Sequence, residues 1–414
     1  MFEIKCDVAI VGGGPAGLAA AVSAKKEGAE KVLVIERDET LGGILQQCIH
    51  PGFGLKLFKQ ELTGPEYYSK FIDEAVELGV EFLMNSMVLE VSKNTVTLIN
   101  STNGVTNVNA KSIILAMGCR ERTRANIMIP GTRPAGIYTA GAAQRLMNRQ
   151  NELIGKKVVI LGSGDIGMIM ARRMTLEGAK VSAVVELNDF LAGLTRNKVQ
   201  CLDDFDIPLL LSHTIVNIKG NDRVEGVVVA EVDPTTKKAI KETETFYECD
   251  TLLLSVGLIP ENELTKNAQI EINRITNGPT VNHFMQTSIP SIFACGNVVH
   301  VNDLVDNVST ESAIAGASAT KFAKGELNSD NEITVTTGEN VRYVCPQKVI
   351  PNNDTVNLYF RVLAPKKNVV IIARDKDNVL FKRNAIKVNP GEIEKVTVKT
   401  KDISELIIEV KGVN

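Results

Sequence analysis

The chain has 414 residues, enough for about two or three domains with sizeable cores. A net charge of −3 and a pI near 6.0 carry no polyanion-binding signature, and with no Trp and 5% aromatic residues no base-stacking platform for nucleic acid is expected. No apolar run reaches the roughly eighteen residues of a membrane-spanning helix, and the six residues before the first strand leave no room for a signal peptide, so a cytoplasmic protein is expected.

The opening stretch, 7–18, reads as a buried strand, a glycine turn and the start of a helix. In GxGxxG order, Gly12 allows the tight turn, Gly14 lets backbone approach a pyrophosphate, and Gly17 lets helix and strand pack closely. Pro15 and Ala16 begin a helix predicted to run to about Glu27 and stop at Gly28. A second apolar strand, 31–35, ends at Glu36, 24 residues beyond Gly12, where a carboxylate can accept from an adenosine ribose. Thr63 and Glu66 form a T-x-x-E capping pattern before a further helix. An alternating stretch, 86–110, turns at Asn103-Gly104, and a buried strand, 112–118, closes the unit at Gly118.

The unit then recurs. A strand from Lys157 runs into Gly162, Gly164 and Gly167 with Asp165 and Ile166 between them, a helix ends near Gly178, and the next strand ends at Glu186, again 24 residues past its first glycine. A meander over 214–248 turns at Asp233-Pro234, and a closing strand over 249–260 contains Gly257. Two such units imply two nucleotides, and two nucleotides placed together imply electron transfer. The strand over 287–297 and the helix from Ser309 to about Lys324 would complete the first unit. The expected organisation is therefore a first domain of residues 1–120 and 263–330, a second of 121–262 inserted into it, and a C-terminal region of 331–414. That last region alternates at Val356, Leu358, Phe360 and Val362, at Ile386 and Val388, at Val396 and Val398, and at Leu406, Ile408 and Val410, which predicts an antiparallel β-sandwich. It holds 14 Lys and Arg against 10 Asp and Glu, a net of +4. The seven cysteines are widely spaced with no C-x-x-C, which argues against a disulfide framework and against a metal centre formed by this chain.

The first glycine turn with Glu36 and Gly42-Gly43, the second GxGxxG, and the segment Ile292-Phe293-Ala294-Cys295-Gly296-Asn297 together resemble the pyridine-nucleotide disulfide oxidoreductases. The resemblance covers about residues 5–325 and implies FAD in the first unit and NAD(P) in the second. It places Ala116, Gly118, Gly296, Asn297 and Ser309 beside the glycines of the FAD site, with Gly43, Gly118 and Gly296-Asn297 against the flavin. Asn297 stands where the family usually has aspartate; its carbonyl oxygen can still accept. The redox cysteine pair of the disulfide-reducing members is missing, since the 41–50 segment carries Cys48 alone.

More narrowly, the 42–54 and 61–67 segments and 296–306 resemble a bacterial branch associated with FAD-dependent glycerol-3-phosphate dehydrogenases. The 118–122 and 129–136 segments resemble flavoprotein subunits of opine, proline and cyanide-forming dehydrogenase complexes. That resemblance implies a partner flavoprotein dehydrogenase, and hence an oligomer or hetero-complex.

Glu186 is the cofactor-choice residue: a carboxylate accepts from a free 2′-hydroxyl and repels a 2′-phosphate, which favours NAD(H). Arg37 lies either beside the adenine or on the surface. Cys48 and His50, two apart in an extended segment, share a face. They read either as a thiolate–imidazolium pair or as a packed thiol and a backbone-bound imidazole. The reading is an FAD-dependent NAD(H) oxidoreductase that exchanges electrons with a glycerol-3-phosphate dehydrogenase partner. Its alternatives are an assembly subunit with a vestigial NAD site and a single-cysteine NADH oxidase or peroxidase.

Overall fold

A computed structural model describes residues 2–352 and 354–413; Met1, Asn353 and Asn414, which fall within the expected first and C-terminal domains, lie outside the described residues. The chain forms two compact units, Met1–Cys119 with Pro260–Asn414, and Arg120–Ile259.

In the first unit, β1 (Phe2–Val11) leads through the glycine turn into α1 (Pro15–Lys26), followed by β2 (Val32–Ile35), α2 (Gly64–Glu77), β3 (Glu81–Leu83), β4 (Ser86–Val91), β5 (Thr95–Asn100) and β6 (Gly104–Leu115). Every residue of β2 is buried, as in a parallel strand covered on both faces. The capping box holds α2: Thr63 Oγ1 accepts from the Glu66 N–H at 3.4 Å, and Glu66 Oε2 accepts from the Thr63 N–H at 2.8 Å. The hairpin turn forms where Asn100 Oδ1 accepts from the N–H groups of Thr102 and Asn103.

The last strand of the meander and the closing strand, read from the sequence as separate, are one twelve-residue strand, β6. Along one edge β6 pairs β1 in parallel; along the other it meets β5 at its start and the returning strand near its end. A single long strand satisfies its backbone groups on both sides without a break.

The second unit contains β7 (Ile137–Thr139), α3 (Ala140–Gln150), β8 (Lys157–Leu161), α4 (Asp165–Leu176), β9 (Lys180–Val185), β10 (Leu209–Leu210), β11 (His213–Lys219), β12 (Gly226–Glu231), β13 (Thr245–Glu248) and β14 (Thr251–Leu254). Its parallel sheet has the order β7-β14-β8-β9-β10, with β11-β12-β13 as a separate antiparallel meander. The predicted turn is present: Asp233 Oδ1 accepts from the Thr235 and Thr236 N–H groups.

The chain returns to the first unit with β15 (Ile292–Ala294), which pairs with β6, and α5 (Val305–Lys324). The first sheet then has the order β3-β2-β1-β6-β5-β4, with β15 on β6. Helix α5 begins four residues before the predicted Ser309 start, so Ser309 lies inside it. It packs on α1 at small residues: a Cβ at Gly316 would strike the Ala20 carbonyl oxygen, and Ser23 Oγ donates to the Ala313 carbonyl at 2.6 Å.

The C-terminal strands are β16 (Ile333–Thr337), β17 (Val341–Cys345), β18 (Lys348–Val349), β19 (Thr355–Val362), β20 (Lys366–Asp375), β21 (Asn378–Val388), β22 (Glu394–Lys399) and β23 (Leu406–Gly412). They form two sheets, β18-β16-β23-β20-β21 and β17-β19-β22. Val356, Leu358, Phe360, Val362, Leu406, Ile408 and Val410 fill one shared core. Two expectations are corrected. The sandwich is mixed rather than antiparallel, because β16 pairs β23 in parallel. Ile386 is 86% exposed, not buried with Val388: it sits on edge strand β21 opposite Asn368, whose positive φ interrupts the pairing with β20.

Candidate functional site

The first glycine turn divides its labour among three glycines. A Cβ at Gly12 would meet the Ala116 carbonyl oxygen at 2.5 Å, and one at Gly17 would land on the Gly12 carbonyl oxygen. At Gly14 nothing approaches closer than the Gly43 Cα at 3.8 Å. Gly14 is therefore uncrowded, its one neighbour at ordinary contact distance. As N-cap of α1 it also supplies no side chain to the helix's first N–H groups, which stay available to a phosphate. Those features fit a dinucleotide pyrophosphate.

Other expected FAD residues converge on the same strand ends. The Gly42 N–H donates to the Gly13 carbonyl at 2.9 Å, and a Cβ at Gly296 would meet Ala16 Cβ at 2.8 Å. Gly118, with φ +73°, has nothing within 4 Å of its missing side chain. Glu36 is buried; its Oε2 accepts from the Gly13 N–H at 2.7 Å and its Oε1 from the Asp38 N–H at 2.9 Å, leaving about two of its four lone-pair sites for a ribose. Arg37 is exposed. Asn297 Oδ1 accepts from the Asn302 N–H at 2.9 Å, and its Nδ2 lies 3.6 Å from Cys119 Sγ. Ser309 is brought elsewhere, its buried hydroxyl 2.8 Å from that of Tyr67.

Cys48 is half-buried, with Sγ 3.4 Å from the Ile44 carbonyl, and burial pushes its thiol up to about 12. His50 Nδ1 faces the Pro51 carbonyl at 3.1 Å and its ring lies 5.0 Å from that of Phe53. Both observations support the packed thiol and backbone-bound imidazole. None of the seven cysteines forms a disulfide.

The second glycine turn repeats the backbone and differs in its side chains. A Cβ at Gly162 would land on the Ser255 carbonyl oxygen, one at Gly164 would meet Ser255 Oγ at 2.9 Å, and Gly167 donates its N–H to Ser255 Oγ at 3.1 Å. Glu186, buried, accepts four hydrogen bonds: from the Ser163 N–H and hydroxyl at 2.9 and 2.7 Å, and from the Asn188 N–H and Nδ2, both at 2.9 Å. Asp165, in the first turn of α4, accepts from the Leu194 N–H at 2.8 Å and Asn197 Nδ2 at 2.7 Å. Ser163 Oγ also accepts from the Ala192 N–H at 2.9 Å. Ile166 is half-buried on α4, and Gly257, exposed at φ +101°, accepts from the Arg122 N–H at 3.0 Å. Sequence reasoning missed Ser163, Asn188 and Ser255. The serine inside Gly162-Ser163-Gly164 is a readable signal; Asn188 and Ser255 become partners only in the fold.

Two glycine turns, each closed by a strand-end carboxylate, define a two-nucleotide α/β flavoprotein. The sequence profile of the pyridine nucleotide-disulphide oxidoreductases matches residues 6–319, and the chain belongs to that family. Its members are FAD- and NAD(P)-dependent oxidoreductases, and so is this protein. It is 25% identical over 317 residues to an "NAD(P)H sulfur oxidoreductase (CoA-dependent)" of Pyrococcus abyssi, covering 74% of this chain and 65% of that relative. It is 25% identical to the hydrogen cyanide synthase subunit HcnB of Pseudomonas protegens, covering 70% of this chain and 65% of the relative. The chain thus spans about two thirds of the length of these two relatives. Thioredoxin reductase of T. acidophilum shares the fold at a TM-score of 0.62 and 22% identity, over 77% of this chain and 98% of that one. Among the described residues, no helix is long and apolar enough to cross a membrane.

Proposed function

We propose that this protein is a cytoplasmic, FAD-dependent NAD(H) oxidoreductase that works without a redox-active disulfide, exchanging electrons with a partner flavoprotein dehydrogenase. The observation that carries the reading is the pair of glycine turns, each with a buried strand-end carboxylate, in a chain whose cysteines form no disulfide. Bound flavin supplies hydride acceptance; the protein supplies alignment and charge. Gly14 and the first turn of α1 hold the pyrophosphate, Glu36 the adenosine ribose, and Gly43, Gly118, Gly296 and Asn297 line the flavin. In the second unit Gly162, Gly164 and Gly167 take the second pyrophosphate, and Glu186 selects a free 2′-hydroxyl. The likeness to HcnB, a subunit of hydrogen cyanide synthase, supports a complex. The resemblance of the 42–54, 61–67 and 296–306 segments supports a partner that oxidises glycerol-3-phosphate. Anaerobic NADH should bleach the visible flavin band of the FAD-loaded protein; a band unchanged over minutes would sink the NADH step. Co-purification with a glycerol-3-phosphate-oxidising flavoprotein tests the partner.

A second reading is favoured by one observation, the four hydrogen bonds already made by Glu186. In it the chain is an assembly subunit whose second turn is closed by its own residues. FAD binding without NADH binding, with substrate oxidation only after reconstitution, distinguishes this reading. A peroxidatic Cys48 with His50 is a third reading, which unchanged turnover in Cys48→Ser excludes.

A further inference from the structure

A buried polar chain runs from the C-terminal β-rich region to Asn297. Cys345 at the end of β17 and Tyr343 flank His300, whose Nδ1 lies 3.5 Å from the Tyr343 hydroxyl and whose ring stands edge-on to that tyrosine at 5.9 Å. His300 Nε2 lies 2.8 Å from Glu311 Oε1 on α5; Glu311 Oε2 accepts from Asn302 Nδ2 at 3.2 Å; and the Asn302 N–H donates to Asn297 Oδ1. His300, Glu311 and Cys345 are each at most 2% exposed. The β-rich region grips the same loop twice more, through Arg361 to the Val301 carbonyl at 3.2 Å and through the Ile393 N–H to Asp303 Oδ2 at 2.8 Å.

His300, Glu311 and Cys345 would also suit a metal by residue type, with one donor atom from each lying within 4.8 Å of the others. The 2.8 Å nitrogen–oxygen separation is a hydrogen bond, shorter than the roughly 3.3 Å between two ligands on one tetrahedral zinc. Burial disfavours the imidazolium, yet the acidic partners Cys345 and Glu311 hold His300 well above the usual histidine range. Burial also raises the Cys345 thiol, and the neighbouring His300 opposes that rise.

An asparagine, unlike an aspartate, has two different faces, and something must choose which one the flavin meets. The Asn302 N–H requires the oxygen, which leaves the amide NH2 toward Cys119. We propose that His300, Glu311 and Asn302 are positioning residues through which the C-terminal β-rich region sets the sense of the Asn297 carboxamide at the flavin. This rests on the FAD reading of Asn297 given above.

The test compares FAD affinity, the absorption spectrum of bound flavin and thermal unfolding in the full-length protein and its variants. Glu311→Gln and Asn302→Ala should each weaken FAD about tenfold, the effect of one charge-assisted hydrogen bond, and shift the bound-flavin spectrum. Asn302→Asp combined with Glu311→Gln rebuilds the link with donor and acceptor exchanged and should recover most of both. Asn297→Ala separates the two readings. No change in that variant refutes Asn297 as a flavin neighbour, whereas a change there with none in Glu311→Gln or Asn302→Ala refutes the relay alone. Lower thermal stability with unchanged affinity and spectrum reduces the cluster to a structural clamp and overturns the proposal, as does stoichiometric zinc in the purified protein. Should Glu311→Gln fail to fold, Asn302→Ala, half-buried and leaving the His300–Glu311 pair in place, decides.

Discussion

The two glycine turns share a backbone and differ in what fills them. At the first, Glu36 makes two hydrogen bonds and Gly14 has only the Gly43 Cα at ordinary contact distance; at the second, Glu186 makes four, Gly164 faces Ser255, and Asp165 ties the first turn of α4 to Leu194 and Asn197. The first site is preformed. The second satisfies itself and must exchange contacts with an incoming ribose. Binding there loses some affinity to that exchange.

The largest effect separates backbone from side-chain crowding. Gly17→Val drives carbon into the Gly12 carbonyl and should yield no FAD-loaded protein. Gly167→Ala meets Ser255 Cβ and Oγ, with the Gly162 carbonyl oxygen farther off at 3.0 Å, and should keep FAD with a smaller loss of thermal stability; equal losses would break the contrast. Next, Glu36→Gln sets an amide NH2 against the Gly13 or Asp38 N–H and should weaken FAD by about tenfold or more, measured by flavin fluorescence on titration. Glu186→Gln should leave FAD affinity unchanged and raise the KM for NADH.

Asn188→Ala sharpens the comparison, because it frees one acceptor site on Glu186 while the backbone N–H bond of residue 188 remains, and should tighten NADH roughly threefold by titration. An unchanged or weaker constant would show that the closed turn does not compete. The smallest effect is pH-dependent and confined to the first unit. His300 is raised in the fold, so its stabilisation is complete below about pH 6.5 and is lost as pH rises through its folded value. The thermal midpoint of FAD release should therefore fall toward alkaline pH in the wild type, while His300→Gln flattens that slope.

Much of this was legible in the sequence because local chemistry wrote it. The glycine spacing fixes the turn geometry, and uninterrupted Val-Leu-Val-Ile announces a strand buried on both faces. Where partners are distant the reading failed. Ile386 alternates like a core residue, but Asn368 across the edge breaks the pairing. Ser309 meets Tyr67, 242 residues away, a partner that no local pattern announces. His300, three residues past Asn297, gains Glu311 and Cys345 as neighbours only through α5 and the C-terminal strands.

The sequence alone determined two nucleotide units, their order, and the lack of a second cysteine beside Cys48 in the 41–50 segment, because each depends on residues close together in the chain. Tertiary structure alone decided that one strand-end carboxylate keeps acceptor sites to spare and its twin does not, and that the C-terminal strands reach Asn297 through a buried histidine. Hydrogen-bond saturation and desolvation depend on everything packed around a group, and the neighbours responsible here come from segments that meet only in the fold.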